Sequence, residues 1–333
     1  MAEGSVFNQI PRPVILDVTL RDGGYLNDWQ FSMKSIEIAI KSAIKMGADI
    51  VEIGYMDDKP GLALAASCPV KFLETAVQWK GSSLLAAMVR PSVENPGRVL
   101  EKRKKYIDLA RIPVDLRNTE PANKLSHYCL KNNIPFTFNL TSVSCYSMNN
   151  IEKAARSLNS DAMAIYIADS RGALQPNDVI NIVKVIKNCR DGPVGYHAHN
   201  NLGLALKNTE AALHAGCQLI DGSLSGIGLG GRNLNLKLAV DTAKNYRGDL
   251  SDYKTEFDVS EELLGVPPPA DEMVVYYLSG EKNIKMEWVQ LMIEQLGIEV
   301  TSRILMKIPR CDLFHENELR PYIGEKNWEK LKW

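Results

Sequence analysis

The sequence predicts an α/β chain, a (β/α)8 TIM barrel followed by a small helical C-terminal region. Short β-rich apolar runs alternate with longer segments of helical pattern, and this order favours a parallel sheet. Eight such runs occur, at 14–20, 49–54, 84–89, 106–112, 134–140, 162–168, 194–200 and 218–224. Eight strand–helix units favour a closed barrel, which takes about 250 residues, over an open doubly wound sheet.

The helical segments carry start and stop signals. SMKSIEIAIKSAIKMG has apolar residues at helical spacing, Ser32 as a candidate N-cap and Gly47 at its end. The eighth helix is predicted at about 234–246, and no strand–helix alternation follows it. We therefore predict an N-terminal tail at 1–12, a catalytic barrel at 13–247 and a helical region at 248–333. Helices are expected there in SEELL, DEMVVYYLSG and MEWVQLMIEQLG.

Composition and charge narrow the class of partner. Hydrophobic residues make up 45% and charged residues 24%, and the formal net charge is -1, so no basic excess indicates nucleic acid or an anionic membrane. The N-terminus lacks the pattern of a signal peptide, and no apolar run approaches the roughly 18 residues of a membrane span. The six cysteines contain no CxxC pair, so we predict reduced thiols and a cytoplasmic location.

Residues with metal-ligand chemistry follow strands 1 and 7, at the barrel end where active sites lie. Strand 1 leads into Asp22, and strand 7 ends in His197 and His199, which share a face because they are two residues apart. This mixed nitrogen and oxygen set suits Mn²⁺, Mg²⁺, Co²⁺, Fe²⁺ or Zn²⁺ and leaves positions open for a substrate. The alternative is two unrelated strand histidines and a turn aspartate beside Gly23, since HxH alone is a weak motif.

A glycine-rich stretch, GIGLGGRN at 226–233, follows strand 8. It formally matches the dinucleotide pattern GxGxxG, but it lies in the eighth strand–helix unit and not in an opening one. We therefore predict a flexible turn over the active site, with phosphate binding as the alternative.

The motifs LDVTLRDGG, VEIG, ADSRGALQP, HAHNNLG and GIGLGGRN occur in this order. Together they resemble the DRE-TIM metallolyases, a superfamily that includes 4-hydroxy-2-oxovalerate aldolase, hydroxymethylglutaryl-CoA lyase and the isopropylmalate and homocitrate synthases. The resemblance implies a divalent-metal site formed by Asp22, His197, His199 and Asn233. It also implies that Arg21 stabilises an enolate oxygen and that Glu52 is the acidic residue near it.

Within this superfamily the sequence most resembles the class II pyruvate aldolases. Arg232 follows the GLGG loop where the hydroxymethylglutaryl-CoA lyases have a catalytic cysteine, and the synthase loop Gly-Glu-Arg-Ala-Gly-Asn is absent. Tyr25 stands where the aldolases have a catalytic histidine. Its unperturbed pKa of about 10 makes a tyrosine a poor base near neutrality.

We predict catalytic roles for Arg21, Tyr25 and Glu52. Substrate contacts are predicted for Arg21, Arg111, Ser142 and Tyr277, with Ser144 and Tyr276 as further candidates. The structural alternatives are a buried ion pair between Arg21 and Glu52 and two tyrosines on a packed helix.

These residues predict a metal-dependent aldolase, with Mn²⁺ as the first choice of ion. It would cleave or form a carbon–carbon bond of a 4-hydroxy-2-oxo acid through a metal-bound pyruvate-type enolate. The alternatives are an acyltransferase that condenses acetyl-CoA with a 2-oxo acid and a non-catalytic metal-binding barrel. The expected partners are a small 2-oxo acid and an aldehyde, an aldehyde dehydrogenase that takes the product, and further copies of the chain in a homo-oligomer.

Overall fold

Eight parallel strands close into a single barrel in the computed structural model, which describes residues 13–246 and 270–333. The strands are β1 (Val14–Asp17), β2 (Ile50–Tyr55), β3 (Leu84–Met88), β4 (Leu109–Val114), β5 (Phe136–Leu140), β6 (Ile165–Asp169), β7 (Val194–Ala198) and β8 (Leu219–Gly222). The barrel closes where β1 pairs with β8, with Ile15 opposite Ile220. The predicted (β/α)8 architecture is confirmed.

Helices follow the strands, and most of them cover the outside of the barrel. In chain order they are α1 (Thr19–Asp22), α2 (Met33–Met46), α3 (Leu64–Ser67), α4 (Val70–Ala76), α5 (Pro96–Arg103), α6 (Glu120–Lys131), α7 (Met148–Ser157), α8 (Pro176–Cys189), α9 (Ala205–His214) and α10 (Leu236–Asn245). Helix α2 begins after Ser32, whose Oγ accepts a hydrogen bond from the Ser35 amide at 3.0 Å. It ends at Gly47, which has a left-handed φ of 115°. The predicted cap and stop of this helix are confirmed.

Alternating strand side chains separate two apolar cores. Ile15, Val51 and Ile112 face outwards into the layer shared with the helices. Inward-facing apolar residues fill the barrel interior, among them Val14, Leu16, Ile50, Leu109, Tyr166 and Leu219. Because this interior is packed with side chains, the barrel is not a pore, and a ligand can enter only at its mouth.

The first strand is shorter than predicted. It ends at Asp17, and Thr19–Asp22 forms the short helix α1. The Asp17 carboxylate accepts hydrogen bonds from the Thr19 amide at 3.2 Å and from Thr19 Oγ1 at 2.6 Å. This local side-chain bonding competes with the strand ladder and turns the chain over the mouth. Arg21 and Asp22 therefore project from a helical turn and not from the strand itself.

The C-terminal region is helical, as predicted, and has its own apolar core. Its helices are α11 (Ala270–Lys282), α12 (Met286–Leu296), α13 (Ile298–Lys307), α14 (Arg320–Ile323) and α15 (Glu325–Trp328). Val275, Val289, Met292 and Leu305 are buried between them. The predicted tail at 1–12, the domain boundary at 247/248 and the helix in SEELL lie outside the described residues. No helix within 13–246 and 270–333 is long and apolar enough to cross a membrane.

Candidate active site

Asp22, His197 and His199 converge at the C-terminal mouth of the barrel. Asp22 is the last residue of α1, His197 lies in β7, and His199 follows β7 and bridges to Asn233. One ligand atom from each of the three residues lies within 4.8 Å of the others. The Nε2 atoms of the two histidines are 3.2 Å apart, and His199 Nε2 is 3.7 Å from Asp22 Oδ2. Two imidazole nitrogens and a carboxylate oxygen in this arrangement suit a divalent cation.

The chemistry of these groups fits a metal. Burial, opposed by Asp22, lowers the pKa of His199 to about 4, so its imidazole is neutral and free to ligate at pH 7. Burial disfavours ionisation of Asp22, but Arg21 and the two histidines hold the pKa of that carboxyl well below its usual range. Asn233 donates from Nδ2 to Asp22 Oδ2 at 2.7 Å, while its buried Oδ1 finds no donor among the described residues. A buried side-chain oxygen without a hydrogen-bond partner, next to Asp22, is a further potential ligand for a metal ion.

Arg21 is held in place by two carboxylates. Its Nη1 bonds to Asp22 Oδ1, and its Nε donates to Glu52 Oε2 at 2.9 Å. The predicted ion pair between Arg21 and Glu52 is therefore present. Glu52 is fully buried, and the same oxygen accepts a second hydrogen bond from Arg111 Nη1 at 2.8 Å. From the interior of the barrel, Glu52 thus holds the Arg21 guanidinium in one orientation.

The charge network continues to the other side of the barrel. Arg111 Nη2 donates to Asp221 Oδ2 at 2.8 Å, and that oxygen lies 3.1 Å from His197 Nδ1. The second distance brings the two groups into contact, although they lack the alignment of a hydrogen bond. A carboxylate behind a ligating imidazole orients the ring towards the metal. In this network, two arginines meet three carboxylates, so one negative charge is in excess, which a cation would offset.

The structure places two of the predicted substrate contacts outside the cavity lining. Arg111 is 0% exposed, stacks 4.3 Å above the ring of Tyr166 and does not line the cavity, because Glu52 and Asp221 hold it inside the barrel. Tyr277 is 46% exposed and donates to Glu281 on the surface of α11, outside the cavity.

A cavity of about 630 Å³ opens above the cluster. The predicted residues Arg21, Tyr25 and Ser142 line it together with Asp22 and both histidines. The sequence reasoning missed other lining residues, among them Tyr55, Arg90, Asn139, Thr141 and Ser170. Each of these lies at or just after the end of a strand, and that position was the signal that could have identified them.

Tyr25 lies in the cavity wall with its hydroxyl 2.8 Å from the hydroxyl of Tyr55. Burial, followed by the neighbouring Tyr55, raises the pKa of Tyr25 well above its usual value, and Arg90 only partly opposes this. Tyr25 therefore holds its proton at neutral pH. In this state it can donate a hydrogen bond or a proton, but it cannot serve as a base.

The glycine-rich stretch at 226–233 is a packed loop rather than the predicted flexible turn. Ile227 and Leu229 are buried, and their carbonyls lie 3.2 Å from Asn233 Nδ2 and His199 Nδ1. A Cβ on Gly228 would lie 2.3 Å from Asn233 Nδ2, so glycine is needed for this close approach. The loop therefore orients the side chains of Asn233 and His199. Together with Asp22 and His197, these residues form the candidate metal site, which we call the metal cluster.

The C-terminal helices close one side of the mouth, a feature that the sequence reasoning left open. Arg171, which follows β6, bonds from Nη1 to the Asn283 carbonyl. Asn201, which follows β7, donates from Nδ2 to the Tyr276 carbonyl at 3.1 Å. Residues 285–287 then reach the cavity wall. The C-terminal region is thus part of the site.

The fold and the site define a class, a barrel enzyme with a divalent-metal site at its C-terminal mouth. Comparison with known proteins agrees with this class. The profile of the HMGL-like family matches residues 130–261. A 4-hydroxy-2-oxovalerate aldolase from Chloroflexus aggregans is 30% identical over 237 residues, which cover 68% of this chain and 67% of that protein.

Two further similarities extend over more of the chain. The oxaloacetate decarboxylase of Mycobacterium tuberculosis is 24% identical over 303 residues, covering 88% of this chain and 90% of that protein. The N-terminal domain of a proposed aldolase from Bacteroides vulgatus has a TM-score of 0.69 at 25% identity and covers 85% of this chain and 98% of its own. The chain belongs to the HMGL-like family, the DRE-TIM metallolyases that its motifs resemble, and is a carbon–carbon lyase close to the 4-hydroxy-2-oxovalerate aldolases.

Proposed function

We propose that this chain is a divalent-metal-dependent aldolase that cleaves or forms the carbon–carbon bond of a 4-hydroxy-2-oxo acid. The observation that carries the proposal is that Asp22, His197 and His199 line the same cavity as Arg21. Negative charge that develops at C3 of a 2-oxo acid moves onto the keto oxygen at C2, so cationic groups beside the keto and carboxylate oxygens stabilise it. The aldolase from Chloroflexus aggregans, named for a substrate of this class, supports the choice.

A divalent ion held by Asp22, His197 and His199 would act as a Lewis acid on the carboxylate and keto oxygens of the 2-oxo acid. The mixed nitrogen and oxygen ligands suit Mn²⁺, which is the ion we favour, and Asn233 Oδ1 is a fourth donor from this chain.

Arg21 supplies a permanent positive charge beside these ligands. Glu52 and Asp22 occupy its Nε and Nη1 groups, and no described residue accepts a hydrogen bond from its Nη2. Nη2 is therefore the group that can donate to an enolate oxygen of the substrate. Because Nε and Nη1 are already hydrogen-bonded to carboxylates, the side chain loses little rotamer freedom when Nη2 binds the substrate.

Tyr25 is the candidate proton donor. In the addition direction, C3 of the 2-oxo acid first loses a proton to solvent. A bond then forms between C3 and the aldehyde carbon as the C=O π bond opens, and the aldehyde oxygen takes up a proton. Tyr25 carries a proton in the cavity wall at neutral pH. In the cleavage direction the same oxygen loses that proton, and only the rare phenolate of Tyr25 can accept it.

Decarboxylation of oxaloacetate is a second candidate, and the state of Tyr25 favours it. Loss of the C4 carboxylate of oxaloacetate as carbon dioxide breaks the C3–C4 bond and leaves the electron pair on C3. This step requires no removal of a hydroxyl proton, and C3 takes up a proton afterwards. A site whose tyrosine is protonated can therefore catalyse this step without a base. The similarity to the Mycobacterium tuberculosis decarboxylase over 88% of the chain supports the same candidate.

The test is release of pyruvate by Mn²⁺-loaded protein from a panel of 4-hydroxy-2-oxo acids and from oxaloacetate. Asp22→Asn should lower the rate by roughly a thousandfold because a metal ligand is lost. Asp115→Asn is the matched control, since Asp115 lines the same cavity but is paired with Arg117 at 2.7 Å, and it should retain most of the turnover.

Each outcome of this assay selects one function. Pyruvate from hydroxy-oxo acids supports the aldolase, and pyruvate from oxaloacetate alone supports the decarboxylase. Thiol release from acetyl-CoA with a 2-oxo acid would instead support the acyltransferase. Tight Mn²⁺ binding without any turnover would support the non-catalytic barrel, and full turnover by Asp22→Asn in EDTA would contradict every metal-dependent reading.

A further inference from the structure

Arg90 occupies the cavity wall opposite the metal cluster. It follows β3 by two residues and is half-buried, and its guanidinium carbon lies 3.6 Å from the centre of the Tyr55 ring. In a closed barrel of eight strands, β3 lies diametrically across from β7, which carries His197. A substrate bound at the metal cluster would therefore extend its other end towards Arg90.

Among the residues that the structure describes, Arg90 is a lining cation without a carboxylate partner. Arg21 is paired with Asp22 and Glu52, and Lys285 lies 3.5 Å from Glu287. Among the described residues, no carboxylate lies within ion-pair distance of Arg90. An arginine keeps its charge at any physiological pH, so the cavity wall at Arg90 carries a positive charge that no described carboxylate offsets.

The cavity is also larger than the smallest substrate requires. A five-carbon 4-hydroxy-2-oxo acid has nine heavy atoms, which occupy about 270 Å³ at about 30 Å³ each, the liquid volume of a water. The cavity of about 630 Å³ has room for roughly twice as many atoms. Its walls carry hydroxyl and amide groups, from Ser92, Asn118, Thr141, Ser142 and Ser170.

We propose that the acceptor aldehyde carries an anionic group, a carboxylate or a phosphate, and that Arg90 binds this group in the cavity wall beside Tyr55. This inference rests on the proposed aldolase function and narrows its substrate class. The planar donor fork of an arginine matches both kinds of oxyanion. Tyr55, beneath the guanidinium, holds the plane of that fork in place through a cation–π contact.

A different role for Arg90 would be to support the Tyr25–Tyr55 pair through the same contact. The two roles differ in what they predict for neutral acceptors. A supporting residue affects every acceptor equally, because it acts through the position of Tyr25. An anion-binding residue changes the ratio between charged and neutral acceptors.

The experiment measures kcat/KM for addition of pyruvate to two matched pairs of aldehydes, 4-oxobutanoate against butanal and glyceraldehyde 3-phosphate against glyceraldehyde. The wild-type enzyme should prefer the anionic member of at least one pair by about ten- to a hundredfold, the value of one charge-assisted hydrogen bond. Arg90→Met should reduce that ratio to near one, and Arg90→Lys should retain part of it. The pair that shows the larger ratio identifies the anion as carboxylate or phosphate.

Lys285→Met is the matched control, because it removes a lining cation that already has a carboxylate partner, and it should keep the wild-type ratio. A wild-type ratio near one in both pairs, with clear addition to neutral aldehydes, would overturn the role of Arg90 and leave the aldolase standing. An equal loss for both members of a pair in Arg90→Met would assign Arg90 the supporting role and also overturn the proposal. Absence of addition with every aldehyde would overturn both the aldolase and the inference.

Discussion

Glu52→Gln should destabilise the protein and slow catalysis, although Glu52 lies beneath the cavity and does not line it. The carboxylate accepts hydrogen bonds from Arg21 at 2.9 Å and from Arg111 at 2.8 Å, both fully enclosed in the barrel. A hydrogen bond to a charged group contributes about 2 kcal/mol, and a neutral acceptor retains about half of that. The free energy of unfolding should therefore fall by about 2 kcal/mol.

Equilibrium unfolding in urea, followed by tryptophan fluorescence in EDTA, measures the stability of this variant. Glu152→Gln is the matched control, because Glu152 forms an exposed pair with Arg156 one helical turn away, and its loss should cost no more than about 0.5 kcal/mol. Pyruvate release should fall by about a hundredfold in Glu52→Gln, since Arg21 loses the group that fixes its direction. Equal stability and equal rates in the two variants would refute a positioning role for Glu52.

Three further perturbations address the loop, the proton donor and the C-terminal helices. Gly228→Ala places a Cβ 2.3 Å from Asn233 Nδ2 and should therefore displace the Asn233 side chain. The Mn²⁺ affinity measured by calorimetric titration should fall by about tenfold. An unchanged affinity would show that the Asn233 amide does not support the metal site. The raised pKa of Tyr25 predicts that the cleavage rate increases about tenfold per pH unit from about pH 7 to about pH 9, because the phenolate fraction grows in that proportion below the pKa. Tyr25→Phe should remove this slope, and a wild-type plateau near neutrality would argue for another base. Asn201→Ala removes the hydrogen bond to the Tyr276 carbonyl and should lower the free energy of unfolding by about 1 kcal/mol. Proteolytic cleavage of the C-terminal helices should become faster. Cleavage at the wild-type rate would contradict a role for Asn201 in holding these helices against the barrel.

The metal cluster could be predicted from the sequence because it depends on a rule of the fold. All eight strands of a parallel barrel end at the same mouth, so residues that follow β1 and β7 meet there whatever their separation in the chain. The HxH spacing then placed His197 and His199 on one face. Only the helical turn that carries Asp22 was missed, since it depends on the bonds between Asp17 and Thr19.

The role of Arg111 could not be predicted in the same way. A charged residue in the middle of an enclosed strand indicates a buried partner, but the partners Glu52 and Asp221 come from strands on either side of it in sequence. Several charged side chains face into the barrel, and two of them meet only if their residues lie at the same height along the barrel axis. That height is set by the register of all eight strands together.

By itself, the sequence determined the barrel, the residues of the candidate metal site and the family, because each follows from local periodicity or from a short motif at a strand end. The tertiary structure alone decided which groups reach the cavity. It enclosed Arg111, exposed Tyr277, raised the pKa of Tyr25 and placed Arg90 in the cavity wall without a carboxylate partner among the described residues. The physical reason is that burial, pairing and distance between strands are properties of packing, and packing brings together residues that no local pattern relates.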